Sequence, residues 1–399
     1  MTDTVVMFYD LSFVPEGDEV VVGRVDTGSY AVLPADGAAL LEQLAAGMPP
    51  ERAAGWYEAE YGEPVDVAEF LETLVELGFV KENGAEPAAA APVRFRRLGR
   101  ATFSAPAWFC YAAVVLAWVV VAVGHDDTRP DPGQFFFTGS VLVVQLVITF
   151  GQLPLIFLHE AFHTLAGRRL GLPSRLGISN RYLYIVFETR MNGLLSVPRE
   201  KRYLPFVAGM VCDLVVLAIL GLTAHLTRTP DGALSLTGEI AMAFAFTVVM
   251  RIVWQLQLYL RTDLYYVFAT ALRCHDLHDA STAQLRNRMW RLLGRPDKVV
   301  DEQRWSAHDR AAGRWYGPFV AGGIVVMLLL TALGSLPVVL GYFGIVAAHL
   351  GSGRFDLYFW DAVLSLVVNA GQLALVAHLA ARKRRQHRTT ATVRSEGHD

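Results

Sequence analysis

Residues 135–168 read FFFTGSVLVVQLVITFGQLPLIFLHEAFHTLAGR, and the fold turns on them. No Asp, Glu, Lys or Arg interrupts the stretch from Phe135 to Leu158. A bilayer core of about 30 Å needs roughly 20 helical residues, so this run is long enough to cross one. It then carries His159-Glu160-Ala161-Phe162-His163 before Arg168 closes it. Ionisable side chains in such a segment cost several kcal/mol unless they bind something or line a cavity.

The rest of the chain fits that setting. Its 399 residues are 53% hydrophobic, with a mean hydropathy of +0.34, too apolar for an ordinary soluble enzyme with one core. Further runs of spanning length lie at about 105–123, 203–224, from about 240, 318–339 and 362–381. Six spans result. Apolar sequence continues from 340 to 350 beyond the Gly334-Ser335-Leu336-Pro337 break, as a re-entrant tail would. The net charge of -3 points to no nucleic-acid partner. Cys110, Cys212 and Cys274 lie far apart, which implies neither a disulfide framework nor a thiolate metal site. The opening MTDTVVMFYDL lacks a basic segment followed by an apolar one, so no cleavable signal peptide is expected.

Positive residues orient the bundle. The loops at 125–133, 225–239 and 351–361 hold one Arg each (Arg129, Arg228, Arg354), whereas 274–316 alone holds eight Lys or Arg. That places 274–316, the 168–202 segment and the Arg382-Lys383-Arg384-Arg385 run on the cytoplasmic side. The expectation is a multi-pass cell-membrane protein with both termini cytoplasmic.

Residues 1–82 read as a separate small unit. Strands at 20–25 and 29–33 flank an Asp26-Thr27-Gly28 turn. Helices follow at 35–46, 50–61 and from Asp66, a good N-cap with Glu69 three residues on. The third helix places Val67, Phe70, Leu71, Leu74 and Val75 on one face, and Phe79-Val80 closes the unit as a strand. The predicted fold class is therefore a mainly α polytopic membrane protein with a small N-terminal α+β, winged-helix-like domain. Its lack of a basic helix face favours peptide binding over DNA reading. The predicted order is this domain at 1–82, an Ala/Pro-rich linker and basic juxtamembrane segment at 83–100, and the membrane core at 101–273. A basic cytoplasmic loop at 274–316, C-terminal helices at 317–385 and a polar tail at 386–399 complete it.

Residues at i and i+4 share a helix face, so His159 and His163 can present both imidazoles to one zinc ion, Zn2+. Glu160 lies beside them as the general base for a water whose pKa zinc lowers. A third ligand is needed. Asp263 is preferred: like His159 it lies about ten residues before a basic membrane boundary, on a span running in the same direction, roughly 14 Å deep for both. The stretch from Ile240 to Arg273 is too long for one straight span, so a break near Asp263 is expected. Asp213, the rival ligand, has another partner within reach, Arg251 at matching depth on the neighbouring antiparallel span.

An HExxH in a membrane helix with a later Asp resembles the site-2 protease family of intramembrane zinc metalloproteases. Arg261-Thr262-Asp263-Leu264-Tyr265-Tyr266 is similar to the Phe-Asp-Gly-Tyr-Tyr variant of peptide zinc metalloproteases from peptide-biosynthesis clusters, with Leu264 where they carry Gly. The resemblance implies that Asp263 is the third ligand and that Gln255, where the family has Asn, positions substrate. Phe206-Val207-Ala208-Gly209-Met210 loosely resembles the family's third helix, and 174–190 resembles its membrane-associated hairpin, an edge for an extended substrate. The N-terminal unit resembles the PqqD-like leader-recognition domains, on Asp26–Tyr30, Asp36-Gly37 and Asp66–Val80. That resemblance implies that a leader peptide binds around Ser29, Tyr30, Phe70 and Leu74 as an added strand.

Outside these motifs, His275-Asp276-Leu277-His278-Asp279 reads as a solvated loop, not a second metal site. Glu188 reads as a strand-edge carboxylate that could also assist catalysis. Trp290, Trp305 and Trp315 among basic residues suggest an interfacial anchor. The expected activity is maturation of a peptide precursor by a zinc endopeptidase embedded in the lipid bilayer. Cleavage of a transmembrane substrate, or a non-proteolytic role in peptide export or immunity, are the alternatives. The sequence assigns neither the precursor nor a transporter partner.

Overall fold

The computed structural model describes residues 5–24, 26–81, 93–181, 184–191, 193–330, 332–333, 336–353 and 355–396. The linker expected at 83–92, Tyr182-Leu183, Gly334-Ser335 and Arg354 lie outside the described residues.

The N-terminal unit is a three-stranded antiparallel sheet, β1 (Leu11–Glu16), β2 (Glu19–Arg24) and β3 (Ser29–Pro34), in that order. Three helices follow: α1 (Ala35–Ala45), α2 (Pro50–Tyr61) and α3 (Val67–Glu76). Asp66 caps α3, its carboxylate accepting from the backbone N–H of Ala68 at 2.9 Å and Glu69 at 3.1 Å. The sheet buries Val22 against Leu41, Leu74 and Phe79, and Phe8 bridges to Val80. Strand β1 was not anticipated. Its Pro15 pairs opposite Val20 on a sheet edge, where a missing N–H is tolerated although it masks the strand pattern in sequence.

A short helix α4 (Arg96–Thr102) leads into α5 (Ala105–Gly124), then α6 (Val141–Arg169). Gly99 lets α4 lie directly on the α6 backbone, because a Cβ there would collide with the Leu165 carbonyl. The helical run starts at Val141 rather than 135. Ser140 caps it, and Asp361 reaches across to accept from Ser140 and from the N–H groups of Val141 and Leu142 at 3.1 and 3.0 Å. A hairpin of β4 (Ser174–Arg181) and β5 (Tyr184–Met191) follows, then α7 (Arg199–Leu226) and α8 (Leu236–Trp254). Helix α7 packs against α5, α6 and α8, so it forms the axis of the bundle. After α8 the chain breaks for eight residues before α9 (Asp263–Ala271), with Arg261 in the left-handed region at φ 56°. This is the break that the length of the 240–273 stretch demands.

Helices α10 (Leu277–Leu292), α11 (Ala307–Leu330), α12 (Leu336–Ser352) and α13 (Leu357–Glu396) complete the chain. The expected basic loop at 274–316 is corrected here: α10 and the first turns of α11 are helical and pack on each other. Tyr316 and Leu277 are fully buried in a cluster with Tyr259, Tyr265 and Val320, which the Arg-rich composition of the segment concealed. The apolar tail beyond 340 belongs to its own helix, α12. Among the described residues, six helices are long and apolar enough to cross a membrane: α5, α6, α7, α8, α11 through Leu329, and α13 through His378. The chain is a multi-pass membrane protein.

Candidate metal centre

Helix α6 brings His159 and His163 to one face, both 5% exposed or less, and the break after α8 aims Asp263 at them from the start of α9. His159 Nε2 lies 3.1 Å from His163 Nε2 and 3.3 Å from Asp263 Oδ2, and His163 Nε2 lies 3.2 Å from the same oxygen. The outer nitrogens are engaged elsewhere. His159 Nδ1 meets Asp213 Oδ2 at 3.0 Å, and His163 Nδ1 meets the Pro205 carbonyl at 2.7 Å. Each Nδ1 therefore carries the proton, and each Nε2 turns a lone pair toward the Asp263 carboxylate.

Three lone pairs converging on one point repel unless a cation lies between them. Ligand atoms about 2.0–2.1 Å from a tetrahedral ion stand roughly 3.3 Å apart, which the three separations match. The donor set of two imidazoles and a carboxylate fits such an ion, and His159, His163 and Asp263 are the residues that would hold it. The floor of the site is Gly209 on α7, where a Cβ would collide with both Nε2 atoms. Only glycine leaves that space.

Asp213, fully buried, stands outside the converging group of His159, His163 and Asp263 and supports it. Its Oδ1 accepts from Arg251 Nη2 at 2.5 Å, and its Oδ2 from Arg251 Nε at 3.0 Å as well as from His159. The expected pairing of Asp213 with Arg251 is present, and it explains how a carboxylate sits at this depth. Gln255 is buried and accepts from the Asp263 N–H at 3.0 Å, while its carbonyl accepts from Thr262 Oγ1 at 2.7 Å. It shapes the loop that presents Asp263.

Glu160 is 7% exposed and adjoins the triad on α6. Thr189 of β5 donates to Glu160 Oε2 at 2.8 Å, which fixes the carboxylate. Sequence gave no signal for Thr189: one hydroxyl in a strand is ordinary until the hairpin is laid against α6. All four groups open onto a cavity of about 550 Å³, also lined by Phe187, Glu188 and Arg202. Glu188 is half-buried in that wall rather than exposed on an edge.

The residues singled out for peptide contact divide. Tyr30 lies over Gly23 and bonds Ser196 Oγ at 3.2 Å, so it touches the membrane part. Ser29 pairs with Arg24 at the end of β3. Phe70 is half-buried, and Leu74 is fully buried in the core of the unit, where it supports the surface from beneath. The solvated reading of 275–279 is corrected for both histidines as well as for the buried Leu277. His275 Nε2 pairs with Glu16 at 3.4 Å, and His278 packs between the rings of Tyr265 and Tyr316. Burial, with Arg261 adding to it, pushes His278 down to about 4.

Compared with known proteins, the chain matches no family model, no curated protein and no solved structure.

Proposed function

We propose that this chain is a membrane-embedded zinc endopeptidase that cleaves a peptide precursor delivered from the cytoplasm. The observation that carries the reading is the convergence of His159 Nε2, His163 Nε2 and Asp263 Oδ2 beside Glu160 on one cavity. Zinc bound there supplies Lewis acidity to the scissile carbonyl and draws the pKa of water toward neutrality. Glu160, held by Thr189, would take a proton from the attacking water as the new C–O bond forms, then return it to the amine as the peptide C–N bond breaks. Asp213 and the Pro205 carbonyl hold the imidazole tautomers that leave both Nε2 lone pairs available.

A peptide must be extended to offer its carbonyl here. Strand β5 contributes Phe187, Glu188 and Thr189 to the cavity wall, and a substrate laid along it as an added strand satisfies that need. The N-terminal unit, read as a winged-helix-like, PqqD-like domain, would hold the leader and raise the local concentration of the scissile segment. The distribution of basic residues supports a cytoplasmic side for both termini.

Metal content of detergent-purified protein tests the centre. About one zinc per chain is expected in the wild type and in Glu160→Gln, and its loss in His159→Ala and Asp263→Ala. Glu160→Gln should lower peptide cleavage by at least about 10²-fold with metal retained. Correctly folded wild type without zinc, or a Glu160→Gln variant that still cleaves, would overturn the reading. In the first case a non-proteolytic export or immunity component becomes the better account.

A further inference from the structure

The β1–β2 hairpin of the N-terminal unit ends at Glu16-Gly17-Asp18, and this tip reaches the cavity that holds the metal centre. Glu16 is only 6% exposed at its side chain. Its carboxylate forms an ion pair with Arg202 Nη2 at 2.6 Å and a second with His275 Nε2 at 3.4 Å. The Arg273 guanidinium lies on the turn itself, since a Cβ at Gly17 would sit 2.9 Å from its Nη1. The carboxylate is therefore paired with one guanidinium and one imidazole, and Arg273, which also lines the cavity, lies against the adjoining turn.

The socket is anchored in the membrane part. Arg202 is 3% exposed, and it donates from Nε to the Val197 carbonyl at 2.7 Å and from Nη2 to the Leu195 carbonyl at 3.0 Å. Those bonds come from the membrane part and hold the guanidinium in place. A preorganised, buried guanidinium is a strong site for any carboxylate. Glu16 arrives on a two-residue hairpin turn, the kind of element that opens at low cost. Nearby, Ser196 bonds the Tyr30 hydroxyl at 3.2 Å, a second polar contact between the two units.

We propose that Arg202, Arg273 and His275 form a carboxylate-binding subsite of the cavity, which Glu16 fills in the resting chain and a peptide carboxylate takes over. The ligand is an acidic side chain or a free C-terminus of a peptide. Its entry releases the β1–β2 tip and opens the cavity mouth. The inference rests on the protease reading only for the meaning of the ligand as substrate; the exchange itself needs neither metal nor turnover.

Hydrogen exchange of residues 11–24 in the full-length, detergent-purified protein tests it. Glu16→Gln should speed exchange of the hairpin by roughly tenfold, and Glu16→Asp, which keeps the charge, should not. Three pentapeptide probes in excess then separate the sources: one with a central Glu and an amidated end, its Gln counterpart, and the Gln peptide with a free C-terminus. Acceleration in the wild type by the Glu peptide assigns the subsite to acidic side chains. Acceleration by the free-ended peptide alone assigns it to a C-terminus. In both cases the neutral amide should be inert.

A hairpin loosened equally by the neutral peptide would overturn carboxylate recognition. A hairpin that responds to Glu16→Gln but to no peptide would make the contact a fixed structural latch, and indifference to Glu16→Gln would remove the latch as well. Protein that shows the exchange yet holds no zinc would sink the protease reading and leave the subsite standing.

Discussion

At the scale of single side chains, Asp213 joins two charges that a bilayer interior would otherwise penalise. It neutralises Arg251 and fixes the proton of His159 on Nδ1. Asp213→Asn keeps the shape but removes the charge, so His159 loses the acceptor that makes its Nε2 a strong donor. Zinc affinity should fall roughly 10- to 100-fold, read by titration against a competing chelator, without the complete loss expected for His159→Ala. Unchanged affinity would show that Arg251, not the metal centre, is the only reason for this carboxylate. Much of this was legible in sequence. The i, i+4 spacing located His159 and His163, and matching depths on antiparallel spans paired Asp213 with Arg251. Thr189 and Gly209 were a different matter. A hydroxyl bonding Glu160 and a missing Cβ beneath two imidazoles have meaning only once separate elements are brought together.

Among the elements, α10 carries a titration built into its packing. His278 lies between Tyr265 and Tyr316, and burial holds it at about 4 against an ordinary value of 6.5. Between those values the unpacked helix binds a proton that the packed helix excludes. The contribution of this packing is therefore complete above about pH 6.5 and declines as pH falls toward 4. Amide exchange across 277–292, corrected for its intrinsic pH dependence, should rise between about pH 7.5 and about pH 5. His278→Phe should flatten that rise; an identical rise in the variant would place its origin elsewhere. The same helix shows where sequence reading fails. Eight basic residues between 274 and 316 suggested a solvated loop, although Leu277, Ala280 and Ala283 repeat at helical spacing and are buried. Long Arg side chains cover such a face from outside while their heads stay in water. The break before α9 was readable for the opposite reason, since length alone forbids one straight helix from 240 to 273.

For the whole molecule, the proposed reading gives the N-terminal unit two effects on the membrane site, and they act in opposite directions. Holding a leader, it would raise the concentration of the tethered scissile segment into the millimolar range. Seated through Glu16 on Arg202, it also lines the cavity that a substrate would enter on that reading. Removing residues 1–82 abolishes both effects at once, and the two substrates that separate them are a full precursor and a short leaderless peptide. The precursor loses its tether, so its KM should rise by roughly 10²-fold with kcat little changed. The short peptide never used the tether and gains an open mouth, so its kcat/KM should hold or increase. Steady-state cleavage of both substrates by full-length and truncated protein, normalised to zinc content, measures this pair of changes. Equal losses on both substrates would mean that the unit is needed to fold the membrane part. Equal indifference would remove it from the reaction and favour a transmembrane protein as the substrate, because such a substrate reaches the cavity through the bilayer and needs no leader.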